Sequence, residues 1–185
     1  DGSPESSQVE LVPITPKLIA VEASSREKPV IPAELLAFKP ESYRIGASDI
    51  LFITVWDHPE LTAPSGTQMQ GEANGRYVGP DGVLFYPYAG NIQAGGKTIE
   101  ELRNDIASRL TKYIDSPQVD VSVLRFASQQ VLLSGAFKQT LPVPVTTKPL
   151  TLMEVLGIAG IDTKEADLSS VSLVRDGKSH QLDVY

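Results

Sequence analysis

From Asp49 to Trp56 the chain runs Asp-Ile-Leu-Phe-Ile-Thr-Val-Trp. Read as a strand, one face carries Ile50, Phe52, Thr54 and Trp56 and the other Leu51, Ile53 and Val55. Both faces are apolar, which predicts a core strand covered on both sides. Farther on, two short β-rich runs flank Pro80-Asp81-Gly82. Proline presets φ, aspartate tolerates the next position and glycine closes the turn, so the pattern predicts a β-hairpin. From Thr98 to Tyr113 the period becomes helical: Ile99, Leu102, Ile106 and Leu110 share one stripe, and Thr98 with Glu101 makes a capping box. After Pro117, Val119, Val121 and Val123 alternate with Asp120 and Ser122, as in a half-buried strand. Strand, hairpin, helix and strand make an α+β module.

A second module begins near Ser128. Its short strands are expected in "QQVLLSGAF" and "LPVPVTT", and Thr151 with Glu154 repeats the capping signal for a helix that Gly160 ends. Two alternating runs then flank Asp176-Gly177, the signal of a two-residue hairpin. Strands, one helix and a hairpin predict a small β-grasp-like unit that stops at Tyr185 inside a strand-like run, as a truncated domain would.

Residues 1–42 differ from both modules. Six of the 14 prolines lie there, with Phe38 as the sole aromatic, which predicts an extended arm able to lie along another surface. The expected division is therefore an arm at 1–42, a first domain at 43–126 and a second at 127–185.

Composition changes this picture in one respect. With 185 residues, 41% hydrophobic, and no cysteine, two small modules have thin cores and no disulfides, so docking or self-association is expected to support them. The formal charge of -7 argues against nucleic acid, whose phosphates need clustered Lys and Arg. Neither a bilayer-crossing apolar stretch nor a leader pattern occurs in the sequence, so the chain reads as soluble.

Candidate chemistry gathers where the apolar strand ends in Trp-Asp-His-Pro-Glu. Asp57, His58 and Glu60 contain metal-ligand types, but zinc needs three or four ligands and His180 is the only other histidine, so no metal is expected. Asp49, Asp57, Glu60 and Asp81 include enough acids for a glycoside-hydrolase pair, yet no spacing selects two of them, and acids in turns ordinarily serve solvation. No nucleophile elbow, phosphate-cradling loop or dinucleotide fingerprint occurs, and no cofactor is expected. Tyr77, Phe85, Tyr86 and Tyr88 offer faces that could stack on sugars; core packing is the better reading for Phe85, while Tyr86 and Tyr88 stay open between core and contact.

The run "YRIGASDILFITVWDHPELTAPSG", followed by "GRYVGPDGVLFYPYAGNIQAGGKTIEELRNDIASRLTKYIDSPQVDVSV", closely resembles the outer-membrane polysaccharide export lipoproteins, the Wza-like capsule and exopolysaccharide translocons. The resemblance covers Tyr43 to about Val123 as a polysaccharide export domain. It continues from Ser128 as a soluble-ligand-binding β-grasp (SLBB) domain, on "VLLSGAFKQTLPVPVTTKPLTLMEVLGIAGI".

The resemblance implies a non-catalytic periplasmic wall segment at the outer membrane. Such proteins stack as a ring homo-oligomer, eightfold in the best-known member, and pass capsular or extracellular polysaccharide delivered by an inner-membrane co-polymerase, often a tyrosine autokinase. It makes Asp57, His58 and Glu60 a strand-exit turn and, with Tyr86 and Tyr88, candidate polysaccharide or subunit contacts. Family members also carry a lipid-modified cysteine and an amphipathic C-terminal helix; neither is in this sequence, so the expectation is a soluble periplasmic piece. A periplasmic saccharide- or small-ligand-binding module is the alternative, and a hydrolase the third reading.

Overall fold

The computed structural model describes residues 13–25, 31–62 and 74–184. The described residues up to Phe38 group with those from Asp167 onward, and Lys39–Ala166 form a second unit.

The larger unit is organised around β1 (Ile50–Val55). After α3 (Pro59–Thr62), β2 (Arg76–Tyr77) pairs with β1 on one side, and β5 (Val119–Arg125) pairs on the other, both antiparallel. Between them come the hairpin β3–β4 (Val83–Tyr86 and Gly90–Gln93) and α4 (Ile99–Leu110). The capping box forms as expected: Glu101 N–H donates to Thr98 Oγ1 at 3.2 Å and Thr98 N–H to Glu101 Oε2 at 2.8 Å. Leu102, Ile106 and Leu110 are buried against Leu51, Ile53, Val55, Leu84, Ile92 and Val121 in one core.

Two expectations for this region change. Burial on β1 alternates, with Leu51, Ile53 and Val55 inside and Ile50, Phe52 and Thr54 half-buried, while Trp56 is 64% exposed. One face packs on α4 and the hairpin; among the described residues no element seals the other, which is half-buried. The turn at Pro80-Asp81-Gly82 closes, with Gly79 N–H donating to the Val83 carbonyl at 2.8 Å, but it is not a hairpin turn. β2 is committed to β1 through Ile50↔Tyr77 and Leu51↔Arg76, and β3 turns back on β4 instead.

Beyond β5 the unit contains the antiparallel pair β6–β7 (Gln130–Val131 and Val143–Pro144) and α5 (Leu152–Ala159). Thr151 and Glu154 cap α5 as the sequence predicts, and Gly160 ends it at φ 64°, a conformation suited to glycine.

The smaller unit joins the arm to the last hairpin. Helices α1 (Pro16–Ser25) and α2 (Ala33–Leu36) replace extended chain where the arm is described. Pro16 occupies the first helical position, where a missing N–H is tolerated, and Thr15 Oγ1 accepts from Leu18 N–H at 3.2 Å. Proline starts this helix instead of preventing it. Strands β8 (Val171–Arg175) and β9 (Lys178–Leu182) pair around Asp176 (φ 49°) and Gly177 (φ 75°), the predicted two-residue turn. Lys178 Nζ meets Glu34 Oε2 at 3.1 Å, His180 Nδ1 lies 3.7 Å from Glu34 Oε1, and the Arg175 guanidinium sits 3.6 Å above the Phe38 ring. Among the described residues no helix is long and apolar enough to cross a membrane.

Candidate functional site

The segment leaving β1 folds back on itself. Asp57 takes φ 63°, His58 N–H donates to the Val55 carbonyl at 3.2 Å, and the buried Leu61 anchors α3. His58 Nδ1 lies 2.9 Å from Glu60 Oε1, a contact that holds the Glu60 carboxyl below the usual range. Asp57 and Glu60 are exposed. The strand-exit turn thus presents two acids at the surface. Among the described residues, no three His, Cys, Asp or Glu side chains cluster closely enough to hold a metal ion.

The acids considered for hydrolysis do different work. Asp81 Oδ1 accepts from Val83 N–H at 3.1 Å and so serves its own turn. Asp49 is fully buried. Its Oδ2 accepts from Tyr43 OH at 2.6 Å, Gly46 N–H at 2.9 Å and Ser128 Oγ at 3.0 Å, and its Oδ1 accepts from the Ala127 and Ser128 amides at 2.9 Å each. Burial works against the charge, but the Tyr43 hydroxyl and the backbone donors outweigh it and hold the carboxyl below the usual range. A carboxylate so fully occupied has no free lone pair for a substrate or a water.

Among the aromatics, strand alternation decides. Leu84 and Tyr86 point into the core, while Phe85 pairs across the hairpin with Asn91 and is 65% exposed. Core packing for Phe85 is therefore corrected, and Tyr86 leaves the surface candidates. Its ring is fully buried, its hydroxyl donates to the Leu61 carbonyl at 3.1 Å, and burial pushes its pKa up to about 12.

Tyr88 is exposed, in the β3–β4 turn, at φ 63°. Its ring lies 5.3 Å from that of Tyr113, also exposed, just past the end of α4. Arg109 links the two elements: Nε donates to Asp105 Oδ1 at 2.8 Å, and Nη1 donates to the Ala89 and Asn91 carbonyls at 3.3 and 3.2 Å. Lys97 Nζ also bonds Asp105, whose carboxyl is held low: burial opposes the charge and the two cations overcome it. Tyr113 was not among the candidate contacts. The signal was its place four residues after Arg109 on the helical period.

The region beyond β5 contributes an open groove of about 750 Å³ between β7 and α5, lined by Leu141, Val143, Pro144, Leu150, Ile158 and Ala159, with Lys148 and Glu154 at the polar side. Lys148 Nζ meets Glu154 Oε1 at 2.6 Å; that bond and the Thr151 cap lower the Glu154 pKa to about 2.

A family model described as polysaccharide biosynthesis/export protein matches residues 38–124, and one for the SLBB domain matches residues 129–185. The EPS I polysaccharide export outer membrane protein EpsA of Ralstonia nicotianae is 37% identical over 204 residues, which takes in the whole chain and 53% of that protein. Its namesake from Ralstonia solanacearum is 32% identical, over the whole chain and 52% of its own length. The capsule polysaccharide export protein BexD of Haemophilus influenzae is 24% identical over 75% of the chain and 37% of its own length. The chain thus spans about half the length of the first two relatives, and less of the third.

Proposed function

Because the chain belongs to the outer-membrane polysaccharide export family, we propose that it forms part of the periplasmic wall of a non-catalytic conduit for capsular or extracellular polysaccharide. The observation that carries this reading is the order of domains along one chain, export at 38–124 and then SLBB at 129–185. Thin modules and exposed Trp56, Phe85, Tyr88 and Tyr113 leave apolar surface for neighbours, as a wall segment requires.

In this reading the chain assembles with copies of itself into a ring, eightfold as in the best-known relative. It receives polymer from an inner-membrane co-polymerase with tyrosine autokinase activity and works at the periplasmic face of the outer membrane. Asp57, His58, Glu60 and Tyr88 are contacts with polymer or neighbour, and Tyr113 joins them. The net charge of -7 supports a wall that does not hold an acidic polymer.

The test is the solution mass across a concentration series, with electron microscopy of the large species, on the full-length lipidated protein. Closed rings are expected, and cells lacking the protein should lose surface polysaccharide while still synthesising the polymer. A monomer at every concentration, with surface polysaccharide intact in those cells, would sink the proposal.

The groove beside α5 favours a second reading, a saccharide- or small-ligand-binding module. Saturable micromolar binding of soluble oligosaccharides, abolished by Ile158→Lys, would support it. Flat titrations would remove it.

A further inference from the structure

Residues 125–128 lie between the two matched domains, where a flexible linker is the ordinary expectation. Here they are gripped. Phe126 packs edge-on against Tyr43 with ring centroids 4.9 Å apart. Both amides of Ala127-Ser128 donate to the buried Asp49 carboxylate, and the Ser128 hydroxyl donates to it as well. Gln129 Nε2 then donates to the Arg44 carbonyl at 2.8 Å. Gly46 completes the fit, because a Cβ there would stand 2.4 Å from Ser128 Cβ.

We propose that Asp49 is a positioning residue whose carboxylate pins the joint between the export and SLBB domains, so that the chain leaves the first domain along one fixed course. The chemistry selects aspartate. Five donors converge on two oxygens, and only an acceptor-only group satisfies them all. Asparagine has the same shape but in either orientation turns an NH₂ toward a backbone N–H, that of the two linker amides or that of Gly46; the Tyr43 and Ser128 hydroxyls can turn to accept, the amides cannot. A shorter polar residue cannot span from the Tyr43–Gly46 loop to residues 127–128. The inference rests on this joint and not on the export reading, and its test reads amide exchange, so that either can fail alone.

The experiment is hydrogen exchange on the whole chain, comparing wild type with Asp49→Asn, Tyr43→Phe and Gly46→Ala. Asp49→Asn should speed exchange at Ala127 and Ser128 at least 100-fold, while amides of α4 keep their wild-type protection. Tyr43→Phe removes one donor without opposing the amides and should speed the same two about tenfold. Gly46→Ala should do so by pushing Ser128 away with the carboxylate intact. Spin labels at positions 112 and 138, both exposed lysines of one unit, should give a narrow distance distribution in wild type and a broad one in Asp49→Asn. A purely structural role would lower protection in α4 and the joint together. That result, or unchanged exchange at Ala127 and Ser128 in Tyr43→Phe and Gly46→Ala, would overturn the proposal even if Asp49→Asn failed to fold.

Discussion

Single residues here carry roles that their type alone does not announce. Asp49 reads in sequence as one acid among several, and nothing in its spacing names a partner 79 residues away; only the closed fold brings the Ser128 amide to it. Its carboxyl titrates below the ordinary value when folded, so its stabilising contribution is present above about pH 4, the unfolded range, and disappears as pH falls through the lower folded value. An acid titration followed by circular dichroism should show this loss, and Asp49→Asn should lack it. Asp49→Ala, which strands several buried donors, should cost about 3 kcal/mol in urea unfolding. The aromatic run teaches a related lesson. Alternation makes clear that Phe85 and Tyr86 face opposite ways, but with aromatics on both sides of the strand it cannot say which side is inside. Tyr86→Ala should therefore cost about 4 kcal/mol, and Phe85→Ala less than about 0.5 kcal/mol in the isolated chain. Equal costs would contradict the register.

Elements were legible where their signals are local. Both capping boxes sit within four residues, and both helices start where Thr98 and Thr151 place them. Replacing either threonine with alanine should lower stability by about 1 kcal/mol, measured by thermal melting. Gly160→Ala should cost about 1–2 kcal/mol, because φ 64° strains an L side chain and its Cβ would approach Lys138 Cδ to 3.4 Å. The Asp176-Gly177 hairpin was equally plain, since the turn type is written in two residues. Pairing between distant segments was not. β2 is two residues long and precedes a turn, and the choice of β1 over β3 as its partner depends on which core it helps to close. The arm escaped for another reason: proline argues against helix everywhere except the first turn, and Pro16 stands there.

At the scale of the molecule, the order of the two domains was legible because "YRIGASDILFITVWDHPEL" and the segments after it resemble a family as whole stretches, and the family models match in that order. The grouping of the arm with the last hairpin was not, because Glu34 and Lys178 are separated by 144 residues and no short pattern links them. Removing residues 13–38 should therefore loosen the far end of the chain: amides in 171–182 should lose protection while those of α4 do not change. Unaltered exchange in that hairpin would show that the arm contributes nothing to it. The same contact sets an order of events during synthesis. The arm is made before residues 39–166 and its partner strand after them, so Glu34 must wait while that stretch emerges and acquires a core of its own. Contacts closed over so long a loop form slowly, which makes the union of arm and hairpin late relative to the core of residues 39–166, and the interval before it the time when other binders can reach the hairpin.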